Sequence, residues 1–303
     1  MRATSQDLLR QLHHHGYQVS TFSLSTVGDY SVEDADWNYK DVPHLNVVHS
    51  QVEAIGCTMD DDVGSSIALQ KILGIPVPIS LVNWVTKGGA HTYYTSLGPY
   101  VLVVSVQIES LGTNRTKVTT TYNLATSGLW RLGFPILKRI LTRNFRTLTS
   151  EDTPMRDRRG ELRRRGFRFH SDGRARTFPE SLDLLVDNVV VPLRSAQRTE
   201  SIDLATVAVE GATVLVGPDD DRGVRVVRSG AELIFVPRLC AHEGASLDCA
   251  RLMNGRVSCP WHAKRIAPLG RIAAIDGATG TFGRLSAVVR RGILELSLPD
   301  DSG

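Results

Sequence analysis

Four residues in the last third of the chain combine the two side-chain types that bind iron and zinc. They are Cys240 and His242, spaced C-x-H, and Cys259 and His262, spaced C-x-x-H. Two thiolates can hold one iron of a 2Fe–2S cluster while two imidazoles hold the other. Two Cys and two His also form zinc sites, but those usually keep C-x-x-C and H-x-x-x-H apart instead of mixing both types in each half. The spacing therefore favours an iron–sulfur cluster over zinc.

A second group of metal-binding side chains begins near the start of the chain. Asp41, His44 and His49 have the spacing D-x-x-H-x-x-x-x-H. Asp152, with Glu151 as the alternative, lies just after a long helical pattern. In a chain with nine histidines such a grouping also arises by chance, and an Asp after a helix can simply cap the next one. The residues alone leave a metal site and a structural role both open.

Together the two groups resemble the Rieske non-haem iron oxygenases. The C-x-H and C-x-x-H pairs resemble the Rieske cluster motif over about Ala205 to Pro299, and the D-x-x-H-x-x-x-x-H string resembles the family's mononuclear-iron motif. The resemblance implies that His44, His49 and Asp152 bind Fe(II) as a two-His, one-carboxylate triad. It also implies that Asp41 links the cluster to this iron by hydrogen bonding. The family usually carries its Rieske domain first, whereas here it is last.

Hydroxyl groups near the cluster motif bear on its reduction potential. High-potential respiratory Rieske proteins add a disulfide and Ser or Tyr hydroxyls near the sulfurs, whereas here Ala263 and Lys264 follow the second His and Tyr122 is the last Tyr. Fewer hydrogen bonds to the sulfurs stabilise the reduced cluster less. We therefore expect the lower potential of the oxygenase and ferredoxin types.

Composition and charge argue against several classes of protein. The formal charge of +3 is too small to indicate nucleic-acid binding, and no aromatic–basic binding motif is present. The longest apolar stretches are too short to span a bilayer, and the N-terminus lacks the apolar core of a signal peptide. The four cysteines do not form a disulfide framework. We therefore expect a cytoplasmic protein.

Short β runs separated by turns continue from about Ser201 to the end of the chain. The expected strands are Thr206–Glu210, Thr213–Val216, Val224–Val227, Glu232–Val236, Ala287–Val289 and Ile293–Leu296. Regular spacing without long helices predicts a small all-β domain. We place this Rieske domain at residues 200–303, after a linker at Pro192–Ser201.

Residues 1–195 show a different pattern. Strand-like runs at Val85–Tyr94, Tyr100–Ser110 and Thr116–Leu124 precede an apolar stripe from Trp130 to Leu148 at intervals of three and four. An antiparallel sheet wrapped on a long late helix makes the fold class α+β. It resembles the helix-grip, START-like domains, which enclose an apolar pocket. Candidates for its lining, each of which can equally be ordinary core, are Leu81, Trp84, Leu102, Val104 and Phe134.

Basic residues are concentrated on this long helix. Between Arg131 and Arg165 there are eleven Arg or Lys and four acids. A solvated helix face is the favoured explanation. A dock for an acidic ferredoxin or reductase, or an anionic membrane surface, would need the same charge.

The sequence therefore predicts a Rieske-type oxygenase that uses O2 to oxidise a hydrophobic aromatic, steroid, terpenoid or lipid-like substrate. The resemblance implies electrons from a ferredoxin or an NAD(P)H-dependent reductase, and a homo-oligomer in which electrons cross between subunits. The alternative is an electron carrier whose first domain only binds a hydrophobic ligand. His44 and His49 distinguish the two, because only the oxygenase needs an iron besides the cluster.

Overall fold

The computed structural model describes residues 4–60, 63–72, 74–85, 90–169, 172, 197–220 and 222–299. The chain divides into two units, residues 1–178 and 179–303. Half of the predicted linker, residues 192–196, lies outside the described residues and stays a prediction. The other half is not a linker, because residues 197–201 belong to a β-strand of the second unit. No helix in the described ranges has the length and apolar character that a membrane span requires.

The first unit is built on one antiparallel sheet. Its strands are β1 (Gln18–Gly28), β2 (Val52–Asp60), β3 (Val63–Ile72), β4 (Ile75–Val85), β5 (His91–Leu97), β6 (Tyr100–Gly112) and β7 (Arg115–Thr126). The strand order is β1-β7-β6-β5-β4-β3-β2. Two predicted strands are confirmed as β6 and β7. The predicted strand Val85–Tyr94 is wrong, because the chain reverses direction there and Val85 pairs with His91 across β4 and β5.

Three α-helices accompany the sheet: α1 (Ser5–His14), α2 (Val32–Lys40) and α3 (Phe134–Arg164). Short 3-10 helices cover Val42–Asn46 and Gly128–Gly133. The apolar side of α3, including Leu137 and Leu141, packs on an apolar cluster of the sheet that contains Leu102. This long helix packed on an antiparallel sheet confirms the predicted α+β arrangement.

Helix α3 is longer than the sequence pattern indicates. We expected it to end before Asp152, but it continues to Arg164 with Pro154 inside it. An interior proline removes a helix hydrogen bond and costs about 3 kcal/mol. The turns after it bury Met155 and Leu162. Tertiary packing therefore stabilises the helix despite the proline at position 154, and Asp152 is an interior helix residue.

Three of the proposed pocket residues are core. Leu102, Val104 and Phe134 belong to one apolar cluster between the sheet and α3. Trp84 is buried on β4 and contacts the ring of Tyr94. Apolar packing between the sheet and α3 therefore accounts for Leu102, Val104 and Phe134 without a ligand.

The second unit contains short antiparallel strands in three sheets. They are β8 (Gln197–Asp203), β9 (Thr213–Val216), β10 (Val224–Ser229), β11 (Glu232–Pro237), β12 (Leu252–Met253), β13 (Arg256–Ser258), β14 (Arg265–Ile266), β15 (Gly270–Ala273), β16 (Thr279–Phe282), β17 (Leu285–Arg290) and β18 (Ile293–Pro299). The sheet orders are β15-β11-β10-β9, β12-β13-β14 and β16-β17-β18-β8. This confirms the predicted small all-β domain.

One predicted strand of this unit is wrong. The run Thr206–Glu210 does not form a strand, because the chain makes a 3-10 helix at Leu204–Val207. The side chain of Asp203 caps this helix by accepting a hydrogen bond from the Ala205 N–H at 2.9 Å. Val207 is buried in the apolar core of the unit. Its apolar side chain therefore fills the core from a helical turn instead of a strand.

Candidate metal centres

A tight turn brings the two histidines of the first unit together. His44 lies in the 3-10 helix Val42–Asn46. The backbone N–H groups of Val47 and Val48 both donate to the His44 carbonyl, at 3.0 and 2.9 Å. The chain therefore folds back before β2, and the imidazole rings of His44 and His49 lie 5.1 Å apart.

Asp152 on α3 completes a triangle of possible metal ligands. His44 Nε2 lies 3.2 Å from His49 Nε2, and each lies 3.3 Å from Asp152 Oδ1. All three residues are buried. A triangle of this size lets all three atoms contact one ion at about 2.0–2.2 Å, provided that the ion lies to one side of their plane. None of the three ligand atoms then occupies the ion's other side.

Glu151 orients His49 from behind. Its Oε2 lies 2.9 Å from His49 Nδ1, and its Oε1 accepts hydrogen bonds from the Ser50 N–H at 3.2 Å and the Ser50 hydroxyl at 2.6 Å. When Nδ1 donates to this carboxylate, the lone pair of the neutral ring is on Nε2 and faces the triangle. The structure therefore brings Asp152 to both imidazoles and places Glu151 behind one of them.

Asp41 lies behind the other histidine. Its Oδ2 is 3.7 Å from His44 Nδ1, which is beyond hydrogen-bond distance. The predicted role of Asp41 as a link to the cluster stays a prediction, because the cluster residues belong to the other unit.

Two residues that the sequence analysis missed hold Asp152. Asn38 Nδ2 donates to Asp152 Oδ1 at 3.2 Å, and Arg156 Nη2 donates to Asp152 Oδ2 at 3.3 Å. Arg156 Nε also donates to Asn38 Oδ1 at 2.9 Å, so the three side chains form a closed buried network. The four-residue spacing of Asp152 and Arg156 is that of a helical ion pair. The sequence would have indicated this ion pair if the predicted helix had continued past Pro154.

The network keeps the Asp152 carboxylate ionised. Burial alone would raise the pKa of Asp152, but hydrogen bonds from His44 and His49 and the charge of Arg156 outweigh it and hold this pKa well below its usual range. For His49, burial lowers the pKa, but interactions with Asp152 and Glu151 outweigh it and raise the pKa overall. Two imidazoles and an anionic oxygen that converge in a buried place suit a divalent cation.

In the second unit, the two loops that carry the Cys–His pairs have the same backbone pattern. In each loop the Cys N–H donates to the carbonyl five residues later, at 2.8 Å. The Cys carbonyl accepts from the N–H four residues later, at 2.9 Å after Cys240 and 2.8 Å after Cys259. That fourth residue has a positive φ in both loops, 87° at Gly244 and 53° at Ala263. Because this conformation costs a non-glycine residue about 1–2 kcal/mol, the surrounding loop must hold Ala263 in place.

The four predicted cluster ligands lie in pairs. Both cysteines are buried, and the Cys259 thiol donates a hydrogen bond to the Cys240 sulfur, which lowers the pKa of Cys240 to about 7 and raises that of Cys259. Backbone N–H groups two and three residues after each Cys also point at its sulfur. The rings of His242 and His262 lie 5.0 Å apart at 87°. Adjacent sulfurs and adjacent imidazoles fit a cluster with one iron on each pair.

Two arginines stabilise the segment that follows Cys240. No pattern in the sequence indicated this role for either of them. Arg225 Nη1 donates to the carbonyls of Leu247 and Ala250, at 2.9 and 2.5 Å. Arg238 forms a two-point ion pair with Asp248, at 2.8 and 2.6 Å. These bonds tie the chain that follows Cys240 to strand β10 and to Arg238, the residue directly after β11.

Comparison with known proteins identifies the second unit. Residues 191–283 match the sequence family of the Rieske [2Fe-2S] domain. The second unit is therefore a Rieske domain, which implies a 2Fe–2S cluster and favours the cluster over the zinc alternative. No curated protein matches the chain.

The chain is also similar to several solved structures. The Zhui aromatase/cyclase from Streptomyces sp. R1128 is 11% identical with a TM-score of 0.41, covering 47% of this chain and 96% of that one. A START superfamily protein from Mycobacterium smegmatis is 12% identical with a TM-score of 0.37, covering 45% and 97%. The di-domain aromatase/cyclase BexL is 9% identical with a TM-score of 0.38, covering 92% and 85%.

Proposed function

We propose that the protein is a Rieske-type non-haem iron oxygenase in which His44, His49 and Asp152 hold Fe(II). The observation that carries this proposal is the buried triangle of two imidazole nitrogens and one carboxylate oxygen, with edges of 3.2–3.3 Å. Fe(II) bound to such a triad offers open positions for O2, and a Rieske cluster supplies single electrons.

Zinc is the main competing metal at the triangle. Two His and one acid also hold catalytic zinc, so the ligand set by itself does not select iron. A Rieske domain in the same chain supports iron, because single electrons are useful to a metal that changes oxidation state and zinc does not.

The surrounding residues have separate tasks in this proposal. Glu151 keeps the lone pair of His49 directed at the metal. Arg156 binds Asp152 Oδ2, which leaves Oδ1 facing both imidazoles. The buried positive charge of Arg156 also keeps the carboxylate ionised. These residues would therefore hold the ligands in place before the metal binds.

The broader features of the proposal follow the family resemblance. We propose a hydrophobic aromatic, steroid, terpenoid or lipid-like substrate and electrons from a ferredoxin or an NAD(P)H-dependent reductase. A cytoplasmic homo-oligomer is part of the same proposal.

Iron analysis of protein that has been loaded with iron without oxygen tests the proposal. We expect one iron beyond the two of the cluster. Changing both His44 and His49 to Ala should remove that iron and leave the visible spectrum of the cluster unchanged. The matched control is His91→Gln, since His91 is also buried and lies 2.7 Å from the carboxylate of Asp36. It should retain all the iron.

Two further variants test which acid is the ligand. Asp152→Ala should lose the additional iron, whereas Glu151→Gln should keep it with about 10–100-fold weaker affinity, as expected for a residue that orients a ligand. The opposite result would contradict the assignment of Asp152. Two results with wild-type protein would overturn the proposed oxygenase. One is uptake of zinc but of no additional iron. The other is that only the iron of the cluster is found, and this result would support an electron carrier.

A further inference from the structure

Four bulky apolar side chains are exposed together where α3 begins. The exposed fractions are 80% for Leu129, 61% for Trp130, 73% for Leu132 and 65% for Ile136. We call these four residues the apolar tip. Single exposed apolar residues are normal on protein surfaces, but a contiguous group that includes a tryptophan indicates an interaction site.

The backbone of the apolar tip is held firmly. The hydroxyl of Tyr100 on β6 donates to the Trp130 carbonyl at 2.6 Å, and Tyr100 itself is buried. The same hydroxyl lies so close to Gly133 that a Cβ there would not fit. The sheet therefore anchors the turn from behind while its apolar side chains point outward. Their exposure is a fixed feature of the fold.

Positive charge lies directly beside the apolar tip. Lys138, Arg139, Arg143 and Arg146 are exposed and line an open groove of about 650 Å³ along α3. We call them the cationic row. From Gly128 to Ser150 the sequence has five Lys or Arg and no Asp or Glu. This face therefore carries uncompensated positive charge.

The rest of the basic stretch in α3 does not share this property. Arg156 and Arg159 are buried and pair with Asp152 and Asp34. Arg163 also pairs with Asp34. The basic stretch therefore includes arginines that are paired with buried acids, Arg156, Arg159 and Arg163, and near the start of α3 the exposed cationic row.

We propose that the apolar tip and the cationic row bind an anionic lipid surface. A bilayer presents negative headgroups above an apolar interior, and one surface can therefore receive both groups. Apolar side chains that enter the acyl boundary, together with Lys and Arg against the headgroups, are typical of interfacial helices. Tryptophan is favoured at this depth. An acidic protein would match the cationic row but would need its own apolar patch to cover the tip.

Vesicle binding by the full-length, cluster-loaded protein tests this proposal. We expect sedimentation with phosphatidylcholine vesicles that contain about one third phosphatidylserine, weaker binding to pure phosphatidylcholine, and a decrease with added salt. The variant Trp130→Ser with Leu132→Ser should lose binding. The variant Lys138→Glu, Arg139→Glu, Arg143→Glu should lower the partition coefficient by at least about tenfold.

Intrinsic fluorescence locates the contact. The chain has four tryptophans, of which Trp37 and Trp84 are buried, Trp261 is partly buried and Trp130 is exposed. Vesicles should shift the emission to shorter wavelength, and Trp130→Phe should remove the shift while most binding remains. The charge control is Arg284→Glu with Arg290→Glu, which reverses two exposed arginines of the second unit and should bind as wild type does.

Several outcomes would overturn the proposal. One is an absence of binding to phosphatidylserine vesicles at low salt, and another is binding that both test variants retain. A third is that the protein does not bind vesicles but self-associates, and that Trp130→Ser abolishes the self-association. This result would show that the apolar tip binds a second copy of the chain. A fourth is that an acidic ferredoxin, but no vesicle, protects Trp130 from a soluble quencher. None of these measurements depends on the additional iron, so the proposed oxygenase function stands or fails separately.

Discussion

The two candidate metal centres are assembled in opposite ways. The predicted cluster ligands lie on two short loops with the same backbone hydrogen bonds, all between Cys240 and His262. The triad of the first unit takes two histidines from a turn after α2 and Asp152 from the middle of α3. A centre formed by local loops leaves a clear spacing in the sequence, whereas a centre formed across the fold does not.

The two units also treat buried charge differently. The first unit buries Asp34 with Arg159, and Asp152 with Arg156. In the second unit the buried acid Asp220 pairs with Arg222, which is only partly buried, and the buried guanidinium of Arg225 binds neutral backbone carbonyls instead of an acid. The candidate iron site therefore depends on a buried ion pair, while the cluster loops are held by backbone hydrogen bonds, apolar packing and the partly exposed ion pair of Arg238 and Asp248.

The largest effect should come from the cluster itself. Cys259→Ser removes one of the two thiolates, so we expect complete loss of the visible spectrum of the cluster and a less stable second unit. The additional iron of the first unit should remain, because all three of its proposed ligands lie there. Visible spectroscopy and iron analysis measure both effects. Loss of both kinds of iron in a folded variant would show that the two centres are not independent.

The next largest effect should be the loss of stability when either of two buried arginines, Arg156 or Arg225, is replaced. Arg156→Met leaves the buried carboxylate of Asp152 without its ion pair and should lower the free energy of unfolding of the first unit by about 3–5 kcal/mol. Arg225→Met leaves two neutral carbonyls unpaired and should cost the second unit about 1–3 kcal/mol.

Urea unfolding measures this comparison, with tryptophan fluorescence for the first unit and visible circular dichroism of the cluster for the second. The control Arg284→Met changes an exposed arginine and should be nearly neutral. Equal costs at Arg156 and Arg225 would contradict the contrast between a buried arginine that pairs with a carboxylate and one that binds neutral carbonyls.

The smallest effect should be the pH dependence of the free energy of unfolding that comes from Asp34. Burial would raise the pKa of Asp34, but the hydrogen bond from Arg163 and the charge of Arg159 outweigh it and lower this pKa below its ordinary value of 3.8. The stabilisation is therefore fully present above pH 3.8 and is lost as the pH falls through the lower pKa of the folded state.

Asp34→Asn tests this dependence. The variant should be less stable than wild type at neutral pH, and the gap should narrow below pH 3.8, where wild-type Asp34 also becomes neutral. Urea midpoints between pH 7 and pH 3 measure the gap. Asp29→Asn, at an exposed acid, should follow the wild-type curve throughout. A gap in the Asp34 variant that stays constant with pH would show that charge at this position does not stabilise the fold.

The errors of the sequence analysis have identifiable causes. A period of three and four correctly located α3, but the local preference of Pro154 suggested an end that packing of Met155 and Leu162 overrides. The apolar residues of Thr206–Glu210 suggested a strand, although a side-chain cap at Asp203 makes the chain helical. In both cases a local rule was valid and a competing interaction was stronger.

The sequence by itself determined that the second unit is a Rieske domain, because the predicted cluster ligands lie within two short segments whose residue types have few other uses. It also indicated the class of fold, because hydrophobic periodicity depends on backbone geometry and is preserved locally. Tertiary structure alone decided that Asp152 and not Glu151 faces both histidines, and that Arg156 and Asn38 hold it. The contacts of Asp152 with His44, His49 and Asn38 join residues more than one hundred positions apart, and their distances depend on how the helix and the turn pack together.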